Sequence, residues 1–191
     1  MACLLGSAGV SYSRVTQSVA GSETPVASNG EIYYQRAVEY LERWQRDDIG
    51  QAVRLFNQVV KALPEDPRGH AGLAEARAIR YLSGWEPDPA MLQQGLASGK
   101  TAVELDPDSA EARQGLGLAL LASDLYTPAL VELSRATELK PGSFRAHLYR
   151  GMLLRGLQRP EEALSEAQIA LNLAPDSAVA RALMGDCLQD Q

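Results

Sequence analysis

The chain has few residues that could bind a metal ion or build a disulfide framework. Its 191 residues include two cysteines, Cys3 and Cys187, at opposite ends, and two histidines, His70 and His147. A structural zinc site takes four closely placed ligands, and a disulfide scaffold needs a much higher density of cysteine. We therefore expect no metal ion, no cofactor and no disulfide scaffold.

Basic charge is also scarce. The sequence has 18 lysines and arginines against 24 aspartates and glutamates, which gives a net charge of −6 and an isoelectric point near 5.0. Proteins that bind nucleic acid usually carry an excess of basic residues on one face. The charge balance argues against a nucleic-acid partner and is typical of a solvated surface.

The motifs of the common enzyme families are missing as well. No GxGxxG, P-loop, HExxH or GxSxG pattern occurs in the sequence. Gly115 and Gly117 fall inside a helical pattern, where glycine permits close packing. His70 and His147 occupy matching places early in two predicted helices, which favours a packing role. The sequence predicts no catalytic residue, no small-molecule substrate and no enzyme activity.

Residues 1–30 differ in composition from the rest of the chain. The apolar run Ala2–Val10 has nine residues, whereas a membrane span needs about 20. Ser18-Val19-Ala20 resembles a cleavage site, although no basic segment precedes the apolar run. We interpret residues 1–30 as a flexible leader or as the remnant of an apolar or targeting segment that begins upstream of Met1. The second interpretation would allow a membrane tether.

Alanine and leucine dominate the remaining chain, and they recur with a fixed period. The sequence holds 28 alanines and 27 leucines, both strong helix formers, against 11 aromatic residues. A period of 34 residues relates three segments, Glu104–Ser109, Glu138–Ser143 and Asn172–Ser177. The same period relates three further sets: Pro107, Pro141 and Pro175; Gly117, Gly151 and Gly185; Ala112, Ala146 and Ala180. Such a period is the signature of a repeat architecture.

Each repeat is predicted to form a helical hairpin. In the unit after Pro107, Asp108 or Ser109 can cap a first helix, and Ser123-Asp124 interrupts the helical pattern. Thr127 is expected to cap the second helix, which ends before Pro141. Gly117 and Gly151 in the first helices indicate a close approach of the paired helix. We expect the small residues Ala129 and Ala163 opposite these glycines.

The pattern resembles the tetratricopeptide repeat, a 34-residue helix–turn–helix unit. The small residues and closing prolines of that family match this chain, but its large aromatic early in the first helix is replaced by Arg113, His147 and Arg181. The resemblance implies an all-α, right-handed α-solenoid, an alpha-alpha superhelix, over residues 31–191. We expect hairpins at about 31–63, 69–106, 110–140 and 144–174, with an elbow at 83–89 in the second. Residues 178–189 would form a closing helix, whose Leu183, Cys187 and Leu188 pack back on the preceding hairpin.

The resemblance also implies a non-catalytic scaffold or adaptor that binds a protein or peptide in its concave groove. The first helix of each hairpin lines that groove in the family. The residues at the matching places are Glu111, Gln114, Leu118, Leu121, Arg145, Leu148, Met152 and Arg155. The lysines and asparagines with which some members bind a C-terminal carboxylate are absent. Trp85, in the proline-rich elbow, is a second candidate surface.

An alternative function and several locations remain open. The region Leu55–Ala74 with the elbow after it is similar to the repeat domains of bacterial membrane-bound regulators, namely cyclases, kinases and transcription activators. The alternative is therefore a regulatory or sensory domain of such a protein. The cytoplasm is favoured, with a periplasmic or membrane-anchored location as the other choices. An unpaired last helix would also allow self-association.

Overall fold

Helices account for all regular secondary structure in the part of the chain that the computed structural model describes, residues 25–85 and 87–190. In chain order they are α1 (Pro25–Glu42), α2 (Arg46–Ala62), α3 (Pro67–Leu82), α4 (Pro89–Leu105), α5 (Ala110–Ala122), α6 (Tyr126–Leu139), α7 (Phe144–Gly156), α8 (Pro160–Leu173) and α9 (Ala178–Gln189). No helix in those ranges is long and apolar enough to cross a membrane.

In the three later repeats, the first helix begins at a serine whose side chain caps it. Ser109, Ser143 and Ser177 each accept a hydrogen bond from the backbone N–H three residues ahead, at 3.2, 3.3 and 3.2 Å. Such a cap satisfies one of the N–H groups that a helix leaves unpaired at its start. The sequence analysis expected Asp108 or Ser109 to cap α5, and the bond to Ser109 confirms that expectation. The sequence analysis also expected Thr127 to cap α6, and that expectation is wrong. The helix begins at Tyr126, before Thr127, and no side chain caps it.

Consecutive helices pack as antiparallel hairpins, and the hairpins stack into one α-solenoid. The pairs are α1 with α2, α3 with α4, α5 with α6, and α7 with α8, while α9 packs against α8 and α7. A continuous core of alanine and leucine runs through the stack, and Phe56 and Tyr149 are its largest fully buried side chains. The predicted fold class is therefore confirmed. The expectation that Leu188 packs on the preceding hairpin is wrong, because Leu188 is 53% exposed.

The first helix begins earlier than the sequence analysis placed it. Residues 25–30, assigned there to the leader, belong to α1. Gly30 is buried, and a Cβ atom there would lie 2.6 Å from the Leu63 side chain at the end of α2. This packing extends the helix toward Pro25. The apolar run Ala2–Val10, the cleavage-like site and Cys3 lie outside the described residues.

Glycines mark the places where helices approach most closely. A Cβ atom at Gly115 would lie 2.5 Å from the backbone oxygen of Ala71, so α5 rests on the backbone of α3. At Gly117 it would lie 2.6 Å from the side chain of Leu133 on α6. The predicted close approach is confirmed at Gly117, but the residue opposite is Leu133 and not Ala129.

Two glycine substitutions are expected to change stability in opposite directions. Gly115→Ala should lower the free energy of unfolding by about 1–3 kcal/mol, because the new methyl group meets a backbone that cannot move aside. Gly185→Ala should raise it by up to about 1 kcal/mol, since nothing lies within 4 Å and alanine favours a helix. Urea unfolding of the two variants measures both changes. A loss of stability in both would contradict the packing described.

Candidate functional site

The centre of the concave face is occupied by a buried carboxylate. Glu75 of α3 is 3% exposed. Its Oε2 accepts a hydrogen bond of 3.1 Å from Nε2 of Gln114 on α5, and its Oε1 accepts one from the hydroxyl of Tyr149 on α7. The Nε atom of Arg145, also on α7, lies 3.5 Å from the same Oε1. One side chain thus joins the first helices of three successive hairpins.

The loop between α1 and α2 closes over this cluster. Trp44 stands in that loop with φ = 51°, in the left-handed region of backbone conformation. Its ring centre lies 6.4 Å from that of Tyr149, at an interplanar angle of 44°. Beyond Trp44, a cleft of about 630 Å³ separates the loop from Phe144 and the turn at 174–179. We call Glu75, Arg145, Tyr149, Gln114 and Trp44 the central cluster.

Burial and charge shape the electrostatics of the central cluster. Burial, the largest single influence, would lower the pKa of Arg145, but Glu75 together with Tyr149, Glu42 and Tyr34 outweighs it, and the pKa is raised. Burial, followed by the negative charge of Glu75, raises the pKa of the Tyr149 hydroxyl well above its ordinary value. The Nη1 atom of Arg145 is buried without a hydrogen-bond partner. The cluster therefore holds an ion pair and a neutral phenol, an arrangement suited to holding helices together.

The structure divides the eight predicted groove residues into two groups. Gln114, Leu118, Leu121 and Leu148 are buried, and Arg145 belongs to the central cluster. Glu111, Met152 and Arg155 are partly exposed, and Glu111 accepts a hydrogen bond of 2.7 Å from Lys140. The buried members offer no surface to a partner in this conformation. A partner-binding role of the set stays a prediction.

An open groove lies between α7 and α9, next to the filled centre. It has a volume of about 420 Å³. The residues that line it include Met152, Arg155, Val179, Ala182, Leu183, Asp186 and Asp190. Arg155 bridges the two helices, because Nη1 lies 2.8 Å from Oδ2 of Asp186 and Nε lies 2.6 Å from Oδ2 of Asp190. The groove therefore has an apolar floor and a rim of mixed charge.

The elbow residue Trp85 is tied to the second helix. Its carbonyl oxygen accepts a hydrogen bond of 3.2 Å from Nη2 of Arg46, and its partly buried ring packs against the core. Its role as a second candidate surface stays a prediction. In the described part of the chain, no group of three or more histidine, cysteine or carboxylate side chains is arranged to hold a metal ion.

Sequence reasoning missed Glu75 and Trp44. The one local signal that Glu75 is buried is its place inside the alanine-rich run Ala74–Ala78. That signal is weak, because a carboxylate on the solvent side of such a helix would be ordinary. Trp44 carries no such signal, because its partner Tyr149 lies in another repeat.

Removing the charge of Glu75 should destabilise the chain strongly. Glu75→Gln leaves Arg145 buried without its counter-ion, and loss of one partner of a buried pair costs about 3–5 kcal/mol. Adding Arg145→Met should recover part of that loss. The control Glu111→Gln breaks the more exposed pair with Lys140 and should cost at most about 1 kcal/mol. Equal effects of Glu75→Gln and Glu111→Gln on urea unfolding would contradict the role of the cluster.

Stability should also fall at alkaline pH because of Tyr149. A raised pKa means that the folded state holds the phenolic proton more tightly than the unfolded state. The stabilisation that Tyr149 contributes is therefore complete below pH 10.0, the ordinary pKa of tyrosine. It is lost as the pH rises through the pKa of Tyr149 in the folded state. Urea unfolding at about pH 8 and about pH 11 measures the loss. It should be smaller in Tyr149→Phe than in the control Tyr81→Phe, and equal losses would contradict the assignment.

Comparison with known proteins finds a known repeat in part of the chain. Residues 126–178, which contain α6, α7 and α8, match the family model of the tetratricopeptide repeat. The chain is 30% identical over 122 residues to cellulose synthase operon protein C of Xanthomonas axonopodis pv. citri (strain 306). That match takes in 59% of this chain but 7% of the relative, so the chain spans a small part of that protein's length.

Two solved structures share the fold. A tetratricopeptide-repeat protein of Thermus thermophilus superposes with a TM-score of 0.65 at 22% identity, over 84% of this chain and 81% of that one. The first such domain of Spaghetti, bound to the HSP90 peptide SRMEEVD, superposes with a TM-score of 0.51 at 18% identity. It covers 63% of this chain and 91% of that one. Together with the 34-residue period and the capped hairpins, these likenesses show that the described chain has the fold of tetratricopeptide-repeat proteins and that residues 126–178 match the repeat itself.

Proposed function

We propose that this chain is a non-catalytic adaptor that holds a segment of a partner protein in the groove between α7 and α9. The fold is that of a protein-binding scaffold. The observation that supports this position is the contrast along the concave face. Its centre is filled by the central cluster, whereas the α7–α9 groove is open and has an apolar floor.

The chemistry of the groove favours a segment with apolar anchors and at least one carboxylate. Met152 and Val179 are partly exposed on the floor, and methionine adapts its shape to different ligands. Arg155 uses Nε and Nη1 for Asp190 and Asp186. A guanidinium has five N–H donors, so Arg155 retains donors with which it can bind a carboxylate of the partner.

A C-terminal carboxylate held as in the chaperone-binding members is disfavoured here. The domain of Spaghetti was solved with an acidic HSP90 peptide, which supports peptide binding by the fold in general. In this chain the positions that match the carboxylate-binding residues are Gln114, Leu118, Leu148, Tyr149 and Met152. The first four are buried, so a partner that presents an internal segment fits the groove better.

The absence of catalysis is part of the same proposal. The groove is open to solvent, and catalytic sites commonly exclude water. Its charged side chains, Arg155, Asp186 and Asp190, are already paired with one another. Such a set is suited to binding and offers no free nucleophile or general base.

Affinity capture with a matched control tests the groove. The bait is the full 191-residue chain, and the test variant is Met152→Glu, which places a charge on the apolar floor. The control is Val131→Glu on α6, where the native side chain is 63% exposed and lies outside the groove. Proteins enriched from a lysate of the source cells are quantified by mass spectrometry, and the strongest partner is purified for titration.

The proposal predicts a partner that binds the wild-type chain and Val131→Glu equally. Its affinity for Met152→Glu should fall at least about tenfold, since the substitution buries an unpaired charge. Equal binding by all three baits would overturn the groove assignment and move attention to Trp85. Failure of the wild-type chain to enrich any protein would count against the adaptor function itself.

A further inference from the structure

The loop between α1 and α2 covers the concave centre, yet it leaves groups there without hydrogen bonds. Trp44 has φ = 51°, a conformation that bulky side chains rarely adopt and keep only where their surroundings impose it. Its Nε1 atom is buried without a hydrogen-bond partner, and so is Nη1 of Arg145, one turn of α7 before Tyr149. Buried unpaired donors are rare, because each has lost its bonds to water. The closed loop is therefore an imperfect fit to the surface that it covers.

The polar contacts of the loop do not fix it over the centre. In the described part of the chain, residues 43–45 make such contacts only within α1, α2 and the loop itself. Nε2 of Gln45 donates to the carbonyl oxygen of Arg43 at 3.5 Å, and the Arg43 guanidinium lies 3.7 Å from Asp48. The helix that follows, α2, begins without a side-chain cap, whereas α3, α4, α5, α7 and α9 each have one. The ring of Trp44 is thus the contact that holds the loop against α7.

The loop presents to α7 two groups of the kind that a bound peptide supplies. The ring of Trp44 lies on that of Tyr149, with 6.4 Å between their centres. Glu42 precedes Trp44 by two residues. Burial lowers the pKa of Arg145, and the carboxylates of Glu75 and Glu42 are among the charges that raise it. Glu42 itself forms no ion pair within the described ranges. The loop therefore places the pattern Glu-x-Trp over Arg145 and Tyr149.

We infer that the α1–α2 loop is an internal plug, which a partner segment with the pattern acidic-x-aromatic displaces from the concave centre. The aromatic side chain of the partner takes the place of the indole on Tyr149. Its carboxylate accepts the hydrogen bond that Nη1 of Arg145 does not make to the plug, and a bond between charged groups is strong. An extended segment also needs no residue at positive φ. Segments that lack either group do not displace the loop, so the plug also sets specificity.

The surroundings of the loop allow such a displacement. A cleft of about 630 Å³ separates Trp44 from Phe144, so the loop has space to move without a shift of the helices. The bonds of Glu75 to Gln114 and Tyr149 do not involve the loop. The three hairpins that these bonds join therefore stay together when the loop opens.

This site lies beyond the groove of the proposed function and does not rest on it. Trp44, Arg145 and Tyr149 do not line the α7–α9 groove, and Met152, which does, makes no part of the central cluster. A variant of either surface leaves the side chains of the other in place.

A peptide that copies the loop is the probe. A fluorescently labelled, end-capped peptide with the sequence of residues 40–47 is titrated with the full chain, and anisotropy is measured. The test variant is Trp44→Gly, because glycine removes the ring and adopts a positive φ without strain. The control is Trp85→Phe, which replaces the other tryptophan. Two further peptides carry Trp44→Ala and Glu42→Arg.

The inference predicts saturable binding of the loop peptide to Trp44→Gly. Binding to the wild-type chain and to Trp85→Phe should be at least about tenfold weaker, since the attached loop competes at a high effective concentration. The peptides with Trp44→Ala and Glu42→Arg should each bind Trp44→Gly at least about tenfold more weakly. Adding Met152→Glu to Trp44→Gly should leave the affinity unchanged, which separates this site from the groove.

Four results would overturn the inference. The first is equal binding to the wild-type chain and to Trp44→Gly, because Trp44 then does not compete for the site. The second is no saturable binding to Trp44→Gly that keeps its helix content in circular dichroism. The third is loss of the folded state in both Trp44→Gly and Trp44→Asn, since asparagine also accepts a positive φ and a displaceable plug is not needed for folding. The fourth is a concentration-dependent dimer of the wild-type chain that Trp44→Gly lacks, because the loop of a second copy would then be the occupant.

Discussion

A buried carboxylate must be matched by donors and positive charge, because an unpaired one is far too costly to desolvate. Glu75 meets that demand with Gln114 of α5 and with Arg145 and Tyr149 of α7. Three hairpins therefore keep fixed orientations relative to one another, in addition to the contacts between neighbours that hold any solenoid together. Trp44 packs on Tyr149 and closes the concave side over the same point. The filling of the centre decides which surfaces remain for partners.

The surface on which the proposed function rests lies beside this filled centre. It is the groove between α7 and α9, whose lining includes Met152 and Val179. The groove is open, in contrast to the buried side chains of the central cluster, and its apolar floor is suited to an apolar segment of a partner.

The periodic part of this account could be predicted from the sequence, and the rest could not, for a physical reason. Caps such as Ser109 and glycines such as Gly117 act over a few residues or between paired helices, so a 34-residue period reveals them. The bonds of Glu75 join residues 39 and 74 positions apart and occur once. How tightly the solenoid coils depends on a small rotation between hairpins, which no single repeat encodes. Residues predicted for an open groove, such as Leu118, are therefore buried.

The closure of the concave centre by Trp44 is the central claim, and fluorescence tests it most directly. The chain has two tryptophans, so Trp85→Phe leaves Trp44 as the one indole emitter. Acrylamide quenching is measured in buffer and in denaturant. The account predicts blue-shifted emission and strong protection from quenching in the folded chain, both lost on unfolding. Emission from the folded chain that is as red and as easily quenched as in denaturant would show that the loop does not cover the centre.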